Sequence, residues 1–135
     1  MNQSDDEGTK EEIRELVLSL FRAENYPGNR DAAANVLAID YLPITRAKGQ
    51  VDCNREDTLQ KIANAPASRH RDVDGAEIDV ALFQDDSVAI ARSQLSMTDS
   101  LHNPPTVESY RNMHIFLKRN DQWQCVAWQV TKIQE

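Results

Sequence analysis

Cysteine is scarce in this chain. There are two in 135 residues, Cys53 and Cys125. Their spacing fits neither a disulfide framework nor a metal or redox motif. Cys125 lies in an apolar run, where a thiol acts as a small buried hydrophobe. Long hydrophobic runs are missing too. No stretch approaches the roughly 18 apolar residues of a membrane span. Basic charge is in deficit, with a net charge of −7. That argues against a nucleic-acid backbone or an anionic membrane as partner, since both require a basic face. The one dense basic cluster, Arg69-His70-Arg71, reads as a solvated strand or loop edge. Internal repeats and low-complexity linkers are absent. The three histidines form no metal-ligand pattern, so no metal and no cofactor is implied. Met1 to Gly8 is polar and acidic. It lacks the apolar core of a signal peptide and reads as a disordered tail on a cytoplasmic protein.

What remains is the composition of a single globular domain, residues 9–135, with 40% hydrophobic and 27% charged residues. A chain of this size buries roughly 65–70% of its unfolded surface. Thr9-Lys10-Glu11-Glu12 has the form of a capping box, so a helix is expected to start there. Behind it Ile13, Leu16, Val17, Leu20 and Phe21 mark one helical face, and Pro27-Gly28 ends the helix. A shorter helix is expected from Asn29 or Asp31 to about Leu37. A strand over Asp40–Thr45 follows, its proline suited to a sheet edge. Gly49 marks a turn, and Asn54-Arg55-Glu56-Asp57 opens a third helix carrying Leu59 and Ile62. The rest is strand. Ala76, Ile78, Val80 and Leu82 alternate with acidic residues, Asp85-Asp86 turns the chain, and Ser87–Met97 alternates again. Leu101–Thr106 is a loop. The expected class is α+β, with N-terminal helices packed on a strongly curved, mostly antiparallel sheet.

The last strand pair is the most informative part. Two β-rich runs flank Asn120-Asp121, a dipeptide suited to a two-residue turn. Counting outward pairs Arg119 with Gln122, Phe116 with Cys125, His114 with Ala127, Asn112 with Gln129 and Tyr110 with Thr131. One face then mixes rings with polar groups, which is the make-up of a small-molecule pocket wall. The other carries Met113, Ile115, Val126, Trp128 and Val130, the make-up of a sheet-on-sheet subunit contact.

Taken together, these features resemble the nuclear transport factor 2-like superfamily, a cone-shaped α+β fold. The branch most similar holds SnoaL-like proteins and the association domain of calcium/calmodulin-dependent kinase II. The residues that carry the resemblance are the amphipathic first helix, Ala38-Ile39-Asp40, Gly49-x-Val51, Ala89-Ile90-Ala91-Arg92, and the run from Tyr110 to Thr131 with Trp123 and Gln129-Val130-Thr131. The resemblance implies a cone with an internal pocket, a small polar or aromatic ligand, and a homodimer formed through the outer sheet face. It places pocket residues at Arg92, at His114 and at Gln129, where relatives often carry histidine.

The chemistry leaves alternatives open. Arg92 suits a carboxylate, either on a ligand or on Asp40 or Asp79. His114 is either a general base or a core histidine bonded to Asn112 or Gln129. Asp40 is either a structural pairing residue or an acid/base group. The place where ketosteroid-isomerase relatives carry their base falls near Thr45, which cannot serve. The preferred reading is a ligand-binding homodimer, with Arg92, Tyr110, Asn112, His114, Gln129 and Thr131 on the ligand. Two alternatives stand beside it. One is a SnoaL-like enzyme of isomerase, cyclase or dehydratase type, with acid/base catalysis from Asp40 and His114. The other is a protein assembly module.

Overall fold

The computed structural model describes residues 3–43 and 54–133. The expected turn at Gly49-x-Val51, Cys53, and the strand positions Ile44 and Thr45 lie outside them. Three helices come first: α1 (Gln3–Ala23), α2 (Arg30–Val36) and α3 (Arg55–Ala63), with strand β1 (Leu37–Pro43) between the second and third. Strands β2 (Arg69–Arg71), β3 (Glu77–Phe83), β4 (Val88–Asp99), β5 (Thr106–Arg119) and β6 (Gln122–Lys132) follow.

Ile13, Val17, Leu20 and Phe21 are buried along one side of α1, as their spacing requires. The helix does not start at Thr9, however. It runs back to Gln3, so Thr9 is an interior position and no cap forms there. Acidic Asp6 and Glu7 lie in its first two turns, near the positive end of the helix dipole. The tail expected over residues 1–8 is therefore helical from Gln3. Helix α2 is capped by Asn29, whose Oδ1 accepts from the Ala32 amide at 3.0 Å. The Asn54–Asp57 capping box opens α3 as the sequence predicts. Arg55, in the first turn of α3, closes the end of α2. Its guanidinium donates to the carbonyls of Ala34 at 2.9 Å and Leu37 at 3.3 Å, two acceptors left open at that helix end.

The sheet order is β1-β6-β5-β4-β2, with β3 also on β4. Among the described strands only β1 is parallel to its neighbour; it meets β6, the last strand, after the long path through α3 and β2–β5, where no tight hairpin forces an antiparallel pair. The helices cover one face, the inner one. The end of α1 is clasped to β2 by Asn25, which donates through Nδ2 to the Arg71 carbonyl (3.0 Å) and accepts from the Arg71 amide (2.8 Å). The Arg71–Glu24 ion pair at 3.2 Å adds to it. Asn25→Ala removes both backbone bonds from a partly buried site. It is expected to cost about 1–3 kcal/mol in denaturant unfolding, with the slope of the transition unchanged.

The β5–β6 turn is the expected two-residue one, with Asn120 at φ 50 and Asp121 at φ 62. Pairing holds from Arg119–Gln122 to Phe116–Cys125, as counted from the sequence. It then shifts. Ile115 pairs with Ala127 and His114 with Trp128, leaving Val126 as the extra residue of a β-bulge. The Cys125 thiol donates across this bulge to the Ala127 carbonyl at 3.3 Å. Beyond the bulge every β6 side chain is on the face opposite to the one expected.

Candidate ligand site

With the bulge in place, each face reads as rows across β3, β4, β5 and β6. The inner rows are Leu82/Ala89/Phe116/Cys125, Val80/Ala91/His114/Trp128 and Ile78/Ser93/Asn112/Val130, followed by Leu95/Tyr110/Lys132. The outer rows are Phe83/Val88/Leu117/Gln124, Ala81/Ile90/Ile115/Ala127, Asp79/Arg92/Met113/Gln129 and Glu77/Gln94/Arg111/Thr131.

The inner face carries a buried polar cluster. Ser93 is 6% exposed, Asn112 5% and His114 0%. The Trp128 indole donates to Asn112 Oδ1 at 2.9 Å. That bond uses the amide oxygen and leaves Nδ2 without a partner, along with Ser93 Oγ and both ring nitrogens of His114. Buried polar atoms are nearly always satisfied, because each one left open costs desolvation. Here four lie on adjacent rows. Aromatic rings pack against the cluster. His114 lies 4.6 Å from Trp128, 5.6 Å from Phe21 in an edge contact, and 6.2 Å from Phe116. Burial pushes the His114 pKa down to about 3, so the ring is neutral at physiological pH. A neutral ring offers one donor and one acceptor.

Tyr110 stands one row further along. Its hydroxyl donates to Glu108 at 2.6 Å, and Lys132 binds the other oxygen of that carboxylate at 3.0 Å. Burial, then the bond to Glu108, push the Tyr110 pKa up to about 12. This tyrosine is a neutral, satisfied edge to the cluster. Burial likewise pushes the Cys125 thiol up to about 12, which makes it the inert buried hydrophobe the sequence predicts.

Four of the expected site residues are elsewhere. Gln129 and Thr131 are exposed on the outer face, because the bulge reverses β6. Arg92 is exposed as well and pairs with Asp79 at 2.6 Å. The small residues Ala89, Ala91 and Ser93 point inward, which puts Arg92 outside, so its ion pair is the internal one. Arg92, Gln129 and Thr131 instead line an open outer trough of about 610 Å³ with Glu77, Arg111 and Met113. Asp40 is exposed and paired with Arg119 at 2.8 Å, a bond that holds its carboxyl below the usual carboxylate range. It is not brought to the buried His114, so the proposed acid/base pair does not form. Among the expected subunit-contact residues, Met113 and Ile115 are on the outer face. Trp128 and Val130 are on the inner one, again by the bulge, and Val126 is the bulged residue itself. Trp128 and Ser93 are the site residues that sequence reasoning missed. The alternation of Ala89, Ala91 and Ser93 was the available signal for Ser93.

Among the described residues no group of three or more His, Cys, Asp or Glu side chains could hold a metal, and no helix is long and apolar enough to cross a membrane. No protein-family model matches the chain, and no curated protein matches it. Solved structures do. A nuclear transport factor 2-like superfamily protein from Salmonella enterica is similar at TM-score 0.75 and 11% identity, over 96% of this chain and 94% of that one. A candidate calcium/calmodulin-dependent protein kinase II association domain from Xanthomonas campestris is similar at TM-score 0.64 and 14% identity, over 100% and 91%. A ketosteroid isomerase-like protein from Erwinia carotovora atroseptica is similar at TM-score 0.63 and 16% identity, over 89% of each chain. At these identities the likeness is one of fold.

Proposed function

We propose that this chain, which has the nuclear transport factor 2-like, cystatin-like cone fold, binds a small neutral molecule on the inner face of its sheet. The observation that carries the reading is the set of four unpartnered polar atoms on Ser93, Asn112 and His114, buried against Trp128 and Phe21. A ligand that bonds to them meets donors and acceptors that no protein group meets.

The donors and acceptors define its chemistry. Asn112 Nδ2 can only donate, Ser93 can do either, and neutral His114 offers one of each. No charged side chain occupies the Ser93 or His114 row among the described residues. A carboxylate or phosphate would be buried there without a counter-ion, at heavy cost. A flat molecule with a carbonyl acceptor, such as a lactam, amide or cyclic ketone, matches donors and rings together.

A thermal-shift screen of neutral carbonyl fragments and their carboxylate analogues tests this. Neutral members are expected to raise the Tm of the native protein but not of Asn112→Ala. A hit set dominated by carboxylates, or shifts unchanged in Asn112→Ala, would overturn the assignment.

A further inference from the structure

The first turns of α1 bury no side chain. From Asp6 to Glu12 every residue is exposed or half-buried, and the apolar face of the helix begins only at Ile13. Gly8 lies inside this stretch, and a glycine weakens a helix interior. A side-chain contact nevertheless ties the stretch to the sheet. Asp6 meets Asp86, in the turn between β3 and β4, carboxyl to carboxyl. Asp6 Oδ1 and Asp86 Oδ2 are both shut away from solvent, and no donor among the described residues reaches either one. The turn fixes its half of the contact. Gln84, Asp85 and Asp86 all sit in the left-handed region, at φ 54, 54 and 60, and the Ser87 hydroxyl donates to the Gln84 carbonyl at 2.6 Å. Thr9, one turn beyond Asp6 on the same helix face, lines a hollow together with Asp86.

We infer that a single proton held between Asp6 and Asp86 latches the first turns of α1 to the β3–β4 turn, and that its loss as pH rises releases them. Two carboxyls in contact cannot both stay ionised, because like charges this close repel. A proton on one makes it the donor that the other lacks. The helix dipole favours the anion at Asp6, so the proton belongs on Asp86. Contact with Asp6, then burial, hold the Asp86 carboxyl above the usual carboxylate range. The charge of Asp85 adds to this, and the positive amino terminus opposes it. Asp121 and Lys118 line the same hollow, one of each sign, and together supply no net counter-charge. An unfolded aspartate loses its proton near about pH 3.9. The latched pair keeps one above that value, so the latch is closed in acid and its contribution is lost as pH rises. Buried His114 acts in the opposite sense, since its contribution is lost in acid. The inference concerns the helix end and is independent of the inner ligand site.

Nitrogen-15 relaxation of the Gly8 amide tests it in the full chain, from about pH 4.5 to about pH 7.5. Gly8 is expected to be rigid at the acid end, with an order parameter of about 0.85, and to fall below about 0.6 at the upper end. Amides of β4 should stay rigid throughout. Asp6→Asn supplies an amide N–H to the Asp86 carboxylate in place of the proton, so its Gly8 should stay rigid at every pH. Asp86→Asn, donating from the other side, should do the same. A native Gly8 whose order does not change with pH overturns the proposal. So does a pH response that persists in both asparagine variants, or a Gly8 that is mobile in both at every pH. The carbon-13 signals of the two carboxyls read the proton itself. They should titrate together, over the pH range in which Gly8 loosens. Carboxyls that titrate independently of each other, or outside that range, would show that no shared proton closes the latch.

Discussion

Gly28→Ala is expected to destabilise the protein by about 3 kcal/mol or more, which lowers Tm by roughly 10 °C. Two costs add. Gly28 sits at φ +73, the left-handed region, where a side chain costs roughly 1–2 kcal/mol. A methyl group built there would also lie 2.1 Å from the Ile62 carbonyl oxygen and 3.3 Å from the Ala65 side chain. The first is a backbone atom near the end of α3, so it cannot swing aside. The Gly28 amide also donates to the Asn25 carbonyl at 2.7 Å, which ties the turn to the residue that clasps β2. Three elements therefore meet at this glycine: the end of α1, the start of α2 and the end of α3. Differential scanning calorimetry decides the matter. A Tm within about 2 °C of the native value would mean that the α1–α2 turn is held differently.

Acid should unfold the protein through His114. The unfolded imidazole takes up a proton as pH falls through about 6.5, whereas the buried one resists until about 3. Between those values the unfolded state binds more protons, so stability is complete above about pH 6.5 and falls as pH drops. The slope from this one group is about 1.4 kcal/mol per pH unit, or on the order of 5 kcal/mol across the window. Other acid-sensitive groups exist. The carboxyls of Asp40, Asp99 and Glu108 are all held low by hydrogen bonds. The control is His114→Leu, which keeps the shape, removes the titration and removes two unpartnered nitrogens. Denaturant unfolding from pH 7.5 to 4.5 should show the variant losing less stability than the native chain. At pH 7.5 it should be at least as stable, by up to about 2 kcal/mol. Equal slopes would show that the His114 ring is protonated in the fold.

Most of the scaffold was legible because it depends on local chemistry. The spacing of Ile13, Val17 and Leu20 marks the buried side of α1, Asn54–Asp57 caps α3, and Asn120-Asp121 forms the tight turn. These features are set by residues within one turn of each other. The inner face was only half legible. Tyr110, Asn112 and His114 are inward as counted, since β5 is regular. The single bulge at Val126 is what reversed Gln129, Thr131, Trp128 and Val130. No glycine marks it, and its cost is met by tertiary packing that brings Trp128 onto His114 and Asn112. A two-residue periodicity cannot reveal such a slip. Arg92 was misplaced for a different reason. Its neighbours are small and apolar, and the alternation that turns Ala91 and Ser93 inward necessarily turns Arg92 out to Asp79. The extension of α1 past Thr9 shows that a capping-box pattern can lie inside a helix whose preceding residues are themselves helical.

A ligand on the inner face must reach the buried nitrogens of His114. Nitrogen-15 NMR of the imidazole, assigned by its loss in His114→Leu, reads this directly with a neutral carbonyl fragment that raises Tm in the screen. The free protein should show a neutral ring whose signals do not titrate above pH 5. On addition of the fragment those nitrogens should shift while His70 and His102 stay in place. A His114 signal unmoved at saturating fragment, or one that titrates near pH 6.5, would contradict the account.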